Sequence, residues 1–545
     1  MKALAFGIAF FLSLFAAAQT APNKYWVQFT DKNDSPYAVE QPLAFLSEAA
    51  LERRERFGIA VTPEDLPVNP QYIDAVLALG DIEYFHQSRW FNAITIKTLN
   101  PDRIAEIEAL PFVAQTRSVE ARRPDATSLP VERSGRFEAI DSSRYGLAYT
   151  QIARLNGHHL HAAGYTGQGM RIAVMDAGFN NVDELAAFQR VRADNRLVQS
   201  VDFVSGGSFV AQGSNHGTAV LGCMAGELSG LYGGTAPDAS YFLYRTEDAG
   251  SEFIIEEDNW IAAIEHADAA GIEIVNTSLG YSNYDDETQS HTPADMDGQT
   301  ARISIAATKA SERGMLLVTS AGNSGTSAWR IITAPADAQG ILTVGAVDSL
   351  GVHAPFSSYG PTADGRVKPD VVAQGRAAAV VNQDGGVSRS NGTSFSAPIT
   401  CGLVACLRQA HPNAPVEDVL EAIRASASLY TAPNDSMGYG IPDFWLAHLI
   451  LRSSDPSGEN SALLYPNPTA DRVYIEWRTE QSADARAEYA LRDRNGKLLA
   501  AGYLHGLDGK VLGNFTVPDG LENGLYLVEL RWGEQLAVER LIVNR

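Results

Sequence analysis

Arg171-Ile172-Ala173-Val174-Met175-Asp176-Ala177-Gly178 is the stretch on which the fold turns. Its first five residues make a strand with apolar side chains on consecutive positions, so both faces must be covered, as in a parallel sheet. Similar runs return at Tyr241–Tyr244, Ile272–Val275, Met315–Val318 and Ile341–Val344, with longer stretches of helical pattern among them. Strands alternating with helices predict an α/β unit over residues 145–452, a parallel sheet sandwiched by helices. Open sheets of this type gather ligands beyond the carboxyl ends of their strands, which is where Asp176 falls.

The pattern changes on both sides of this unit. Residues 24–121 predict a small α+β domain, with strand-like Tyr25–Phe29, helical Leu46–Phe57, strand-like Phe91–Ile96, a helix opened by Pro101 and strand-like Val113–Val119. The polar stretches 122–144 and 453–463 read as exposed linkers. Beyond the second, alternation of period two in Val473–Trp477 and Leu525–Leu530, with a hairpin signal at Asn495-Gly496, predicts a β-sandwich over residues 464–545. Residues 1–18, largely apolar from Ala3 and closing on Ala16-Ala17-Ala18, suit a cleaved secretory signal and are short for a bilayer span. No other run reaches transmembrane length, so the mature chain is expected to hold no transmembrane segment.

The 545 residues carry 65 Asp and Glu against 42 Lys and Arg, a net charge of −23 that repels phosphate backbones and anionic headgroups. Nucleic acid is therefore excluded as the expected partner. The three cysteines, Cys223, Cys401 and Cys406, form no CxxC spacing and leave an odd thiol however they pair. Cys401 and Cys406, five apart on one helix, are expected to be buried thiols rather than a disulfide.

Four segments of the α/β unit supply the residue types that acyl transfer needs: a nucleophile, a base for its proton, an acid to orient the base, and donors for an oxyanion. Asp176 closes the first strand. Asn215-His216-Gly217-Thr218 opens a small-residue helix, Ala219–Ala225, with His216 at its start. Thr319–Gly325 follows an apolar strand and sets Asn323 beside Gly322, where backbone crowding is low. Asn391-Gly392-Thr393-Ser394-Phe395-Ser396-Ala397-Pro398 places Ser394 in the first turn of a helix, where unpaired N–H groups favour negative oxygen.

In this order, with Asn-His-Gly-Thr around the histidine and Gly-Thr-Ser-x-Ser-Ala-Pro around the serine, the chain resembles the subtilisin-like serine proteases. The resemblance implies a secreted serine endopeptidase that cuts protein or peptide substrates through an acyl-enzyme. Ser394 would be the nucleophile, His216 the base, Asp176 its orienting acid, and Asn323 with the Ser394 N–H the oxyanion donors. Ser278-Leu279-Gly280 is similar to the family segment that pairs with substrate backbone, and Phe356–Pro361 and Lys368–Val371 are similar to segments preceding the nucleophile. No cofactor is required on this reading, and a structural calcium is left unassigned. Ala177 departs from the family in lacking the hydroxyl that commonly follows the aspartate, which removes one expected hydrogen bond to Asp176. Phe395 stands where methionine is usual, an exchange of similar bulk.

Residues 24–121 resemble a subtilase propeptide, which implies an intramolecular inhibitor and folding aid. Leu464-Tyr-Pro-Asn-Pro-Thr469 and the closing Gly524–Arg545 resemble the type A sorting domain of the Bacteroidetes type IX secretion system, which implies that machinery as a partner and a secreted or outer-surface location. Three further features read as structural. Gly164–Gly169 precedes its strand and so reads as a turn rather than a dinucleotide loop. His158, His159 and His161 read as a solvated helix face, and Glu256-Glu257-Asp258 as a solvated helix start.

Overall fold

The structure, a computed structural model, describes residues 22–121, 144–453, 462–478, 485–493, 496–507, 510–533 and 535–545. The expected signal segment 1–18 and nearly all of the two expected linkers lie outside these residues. The described parts of the linkers are the ends of ordered elements: the helix Phe444–Ser453 and the strand Ala462–Tyr465.

A seven-stranded parallel sheet forms the centre, in the spatial order 371–374, 342–347, 316–320, 274–277, 171–176, 240–245 and 197–202. Successive side chains of one strand enter different cores, as the two-residue repeat of a strand requires. Ile172 and Val174 pack with Val220, Leu221, Leu403 and Val404 on one face, while Ala173 and Met175 pack with Trp260, Ile261, Ile264 and Ile303 on the other. From Ile172 onward every position of this strand is buried, which is why Ile172–Met175 is apolar without alternation. The edge strand Leu197–Asp202 has Val198 and Gln199 exposed and so carries no apolar run to betray it.

The N-terminal unit is a four-stranded antiparallel sheet in the order 83–88, 93–97, 22–29, 113–121. One face holds its own core of Val27, Phe29, Ile94, Ile96, Val76 and Ile107. The other presents Trp26, Ala93 and Val119 to the apolar cluster containing Trp260 and Ile303 of the central unit. Charged groups are buried along the same contact. Asp268, fully buried, receives Arg53, Arg54 and Arg89 of the N-terminal unit. Arg54 also pairs with Asp65 at 3.0 Å, and Asp65 with Arg313 at 2.9 Å. Glu265 accepts the Arg89 N–H at 2.6 Å and the Ser88 hydroxyl at 2.5 Å.

Residues 462–545 build a seven-stranded antiparallel sheet in the order 462–465, 472–478, 510–516, 498–507, 485–492, 524–532, 535–543. A bridge from Thr469 to Val543 brings its beginning against its last strand, so the sheet closes as a sandwich over Val473, Ile475, Trp477 and Trp532. The expected hairpin joins 485–492 to 498–507, with Gly496 at φ +81°; Asn495 lies outside the described residues. This domain meets the central unit where Tyr474 donates to Asp443 at 2.8 Å and Tyr465 stacks on Trp445.

Two expectations are corrected. The acidic turn Glu256-Glu257-Asp258 is buried, not solvated, because the N-terminal sheet and the segment 281–302 cover it. Glu257 accepts from Tyr284 and His291, each at 2.5 Å, and Asp258 pairs with Arg302 at 2.8 Å. The histidine face is likewise packed. His161 bonds the Tyr145 hydroxyl and the Thr235 carbonyl, and His158 and His159 are half-buried. The glycines of 164–169 form the expected turn, with Gly164, Gly167 and Gly169 at positive φ, and all three cysteines are free and buried.

The buried charges at the N-terminal contact make docking of that unit sensitive to single losses. Arg54→Met leaves Asp65 and Asp268 short of a partner inside the contact, and is expected to cost about 3–5 kcal/mol of the full chain's stability, read as a lower midpoint of the first transition in urea. A shift below about 0.5 kcal/mol, the scale of an ordinary surface substitution, would show that this network does not hold the two units together.

Candidate active site

The strand Arg171–Asp176 ends with a carboxylate that is wholly inaccessible to solvent. Its Oδ1 accepts the Ala177 N–H at 2.8 Å. Both carboxylate oxygens face Nδ1 of His216, at 2.9 and 3.0 Å. His216 begins the helix His216–Ala225, which must therefore start almost in contact with the strand. Gly217 makes that approach feasible, since a Cβ there would lie 2.4 Å from the Gly178 carbonyl oxygen and 2.9 Å from Cβ of Asp176.

With Nδ1 committed to the carboxylate, Nε2 is the ring nitrogen left for chemistry. Burial alone would push the imidazole's pKa down. The charge and hydrogen bond of Asp176 outweigh it, with a smaller contribution from Glu247, and the pKa stands above its ordinary value.

Ser394 is the second residue of the helix Thr393–Ala410, where its N–H has no intrahelical acceptor. Its hydroxyl donates to the Ser278 carbonyl at 3.2 Å, and the Ser278 hydroxyl donates in return to the Ser394 carbonyl at 3.0 Å. The two segments are thus clasped together, and among the described residues Ser394 makes no hydrogen bond to His216. Phe395 bridges them instead, its ring centroid 6.1 Å from that of His216.

Asn323 follows the strand Leu316–Ser320 and is exposed. Its Oδ1 accepts both the N–H of Thr393, at 2.9 Å, and the Thr393 hydroxyl, at 3.0 Å. This fixes the amide with Nδ2 as its free donor. Thr393, absent from the sequence-derived set of site residues, also has its hydroxyl oxygen within 3.2 Å of the Gly322 N–H as acceptor. Its signal in the sequence was only its place before Ser394. Ser278 and Leu279 are buried and Gly280 is exposed. Tyr281 then pairs with Ala334 through two backbone bonds of 2.8 and 3.0 Å.

Lys368 and Asp370 form a buried pair at 2.6 Å that supports the strand Val371–Gln374, with Asp370 also accepting the Thr343 N–H. That segment is structural. Among the described residues no group of three or more His, Cys, Asp or Glu side chains is arranged to hold a metal ion.

Residues 167–440 match the family model described as Subtilase family. Residues 24–131 match the Peptidase S8 propeptide domain of Bacteroidota, and residues 463–544 a secretion system C-terminal sorting domain. Alkaline elastase YaB of Bacillus sp. (strain YaB) is 24% identical over 413 residues, covering 75% of this chain and 88% of that protein. Subtilisin DY of Bacillus licheniformis is 30% identical over 295 residues, 53% of this chain and 93% of that protein. The solved structure of the MycP3 protease from the type VII (ESX-3) secretion system aligns with 60% of this chain and 94% of its own at 21% identity and a TM-score of 0.46.

The electrostatic balance at His216 can be measured directly. Its ring proton resonances are expected to titrate above about pH 6.5, the free imidazole value, and in Asp176→Asn the midpoint is expected to drop as burial prevails. An unchanged midpoint in that variant would mean that the carboxylate does not govern the imidazole.

Proposed function

The chain belongs to the subtilase family, and we propose that within its subtilisin-like serine endopeptidase unit Ser394, His216 and Asp176 act as the catalytic triad. The observation that carries this reading is the fully buried carboxylate 2.9 Å from Nδ1 of an imidazole whose other nitrogen is free.

In this mechanism the Ser394 hydroxyl turns from Ser278 toward His216, and Oγ attacks the scissile carbonyl while Nε2 takes its proton. Asp176 holds the Nδ1–H tautomer and balances the imidazolium that forms. The tetrahedral oxyanion receives the Ser394 N–H and Nδ2 of Asn323, donors already in place before charge develops. As the intermediate collapses, His216 returns the proton to the departing amine, leaving an ester on Ser394. Water repeats the sequence in reverse roles, and the acid leaves. An extended substrate pairs its backbone with Ser278–Gly280, which binds the chain largely without regard to side chains. Protein or peptide chains are therefore the substrates, and the steps as written require no cofactor.

The N-terminal domain is a propeptide and the C-terminal domain a type IX sorting domain, which directs export to the cell surface or the extracellular space. Among the described residues no helix is long and apolar enough to cross a membrane. We assign the propeptide the role of intramolecular inhibitor and place its removal between Ala121 and Tyr145. N-terminal sequencing of the active secreted form is expected to give a start in that interval; a start at Gln19 alone would contradict it.

Ser394→Ala is expected to abolish both casein hydrolysis and labelling by a serine-directed phosphonate, and an undiminished digestion rate would overturn the triad. Asn323→Ala is expected to lower kcat by about 100- to 1000-fold, the range already established for an oxyanion donor of this family, with KM little changed. Thr393→Val removes one neutral hydrogen bond that orients Asn323 and is expected to cost about 3- to 10-fold in kcat. His216 must be neutral to accept the proton, so kcat/KM is expected to fall on the acid side with a midpoint above about pH 6.5; a flat profile down to about pH 5 would remove His216 from the role of base.

A further inference from the structure

The strand Arg472–Arg478 belongs to the C-terminal sandwich, and its Val473, Ile475 and Trp477 pack in the sandwich core. By the two-residue repeat of a strand, the side chains between them belong on the outer face, where water is expected. Yet Tyr474 is 1% exposed and Glu476 3%. Tyr474 packs in the apolar cluster of the central unit, and Tyr465 and Leu512 lie against the same cluster. Tyr465 stands directly across the sheet from Tyr474, and Leu512 across from Glu476, so the four form one patch on three neighbouring strands. Elsewhere the outer face of the sandwich is wet, with Tyr503 65% and Val538 54% exposed.

The helices Gly157–Ala162 and Phe444–Ser453 supply the facing surface of the central unit. Trp445 stacks on Tyr465 with ring centroids 4.0 Å apart, and the Tyr465 hydroxyl donates to the His159 carbonyl at 3.0 Å. The His159 ring lies 5.8 Å from that of Tyr474. Asp443 divides its carboxylate between the two domains. Its Oδ1 accepts the Leu446 N–H at 2.9 Å and so caps the second helix. Its Oδ2 accepts the Tyr474 hydroxyl and Nδ2 of Asn156, each at 2.8 Å. At the rim Glu476 lies 3.7 Å from Arg452 and 3.1 Å from Arg478, whose guanidinium also donates to the Arg452 carbonyl.

Two domains joined by a linker are by default free to move on each other unless an apolar contact holds them. Here a stacked aromatic pair and a tyrosine bonded to a carboxylate sit at the centre of the contact, with charged groups around them. Buried aromatic side chains of this kind carry most of the affinity where two proteins bind. Undocking returns Trp445, Tyr465 and Tyr474 to water and takes one donor from Asp443. The covalent connection adds only effective concentration, so such a contact can outlast it.

We propose that the sorting domain is a docked subunit of the subtilase unit, held through Tyr465 and Tyr474 against Trp445, His159 and Asp443, and that it stays bound there after the connecting residues 454–461 are hydrolysed. The exported enzyme then keeps the sandwich as a non-covalent partner. None of these residues takes part in the triad reading, so the inference is independent of it.

The test uses the full chain carrying Ser394→Ala, to prevent self-digestion, and a recognition site for a sequence-specific protease written into 454–461. After the cut, a dilution series is run by size exclusion, and the concentration at which half of the sandwich elutes alone is read. It is expected at about 1 µM or below, within the span of specific protein pairs. Tyr474→Phe, which removes the hydroxyl bonded to Asp443, is expected to raise it about tenfold. Tyr465→Ala is expected to raise it about 30-fold or more, the loss of one buried aromatic anchor. Tyr503→Ala, on the exposed part of the same sandwich, is expected to leave it unchanged. Circular dichroism of each uncut variant checks that it is folded, and should Tyr465→Ala fail that check, Tyr474→Phe alone decides. Release of most of the sandwich at about 10 µM from the chain without interface substitutions, or retention undiminished in the folded interface variants, overturns the docking.

Discussion

A carboxylate without solvent access is stable as an ion only when its environment donates to it, and Asp176 has two donors: the Ala177 N–H and Nδ1 of His216. The arrangement around it follows from that need. The strand that ends at Asp176 is the middle element between the strands 274–277 and 240–245, so its carboxyl end opens at the centre of the sheet rather than at a rim. The helix that begins with His216 must then reach the strand end closely enough for its first side chain to bond the carboxylate. That closeness forces a residue without Cβ at 217. A substitution at Gly217 would act on the imidazole through distance, with no change to any group that could take part in chemistry.

The helix Ile255–Ala269 ties the central unit to the propeptide. Its first turn buries Glu256, Glu257 and Asp258, while Glu265 and Asp268 near its end receive the propeptide's Arg89, Arg53 and Arg54. Both ends bury acid groups that need cationic or N–H partners. Near the second end those partners belong to the propeptide, so its departure returns the acids to water, where they no longer need pairing. Glu265 is held up at about 7 in the contact, chiefly by burial. The docked propeptide therefore tolerates an acid that is protonated over part of the neutral range. Because that pKa is raised above the free value, its linkage favours the docked state fully below the free carboxyl value of about 4.3 and is lost as pH rises from there through about 7. Asp65 acts oppositely: burial raises its pKa, but Arg313 and Arg54 prevail and hold it well below the usual carboxylate range, so its support is complete above the ordinary carboxyl range and is lost only in strong acid.

Much of this was legible in the chain of residues, for identifiable physical reasons. Central strands are buried on two faces, so Ile172–Met175 and Leu316–Val318 announce themselves as apolar runs. The edge strand Leu197–Asp202 is half in water and does not. Asp176, His216, Asn323 and Ser394 stood out because each begins or ends an element next to glycines or small residues. Thr393 did not, since its role arises from an atom far off in sequence: Oδ1 of Asn323, 70 residues away. The acidic turn at Glu256–Asp258 was misread because a helix start rich in carboxylates has a sufficient local explanation in its dipole. Only the packing of the propeptide and of Tyr284, His291 and Arg302 against it shows that it is enclosed. At residue 177 the expectation stands: with no hydroxyl there, the donors to the Asp176 carboxylate are the Ala177 N–H and Nδ1 of His216.

An asparagine amide can point either end outward, and only one choice serves a developing oxyanion. Here the choice is made by the residue before the proposed nucleophile. The N–H and hydroxyl of Thr393 both lie at Oδ1 of Asn323, and an N–H has no lone pair to receive Nδ2, so the reversed amide would lose that bond and face the donor with another donor. Thr393 is fully buried and opens the helix that carries Ser394. Any movement of that helix start therefore carries the serine, its N–H and the asparagine's orientation together. The proposed nucleophile and both proposed oxyanion donors are in consequence registered to a single point of the fold, while the imidazole is registered to another through Asp176. Phe395, in the turn that holds Ser394, lies with its ring centroid 6.1 Å from that of His216 and so joins the two points.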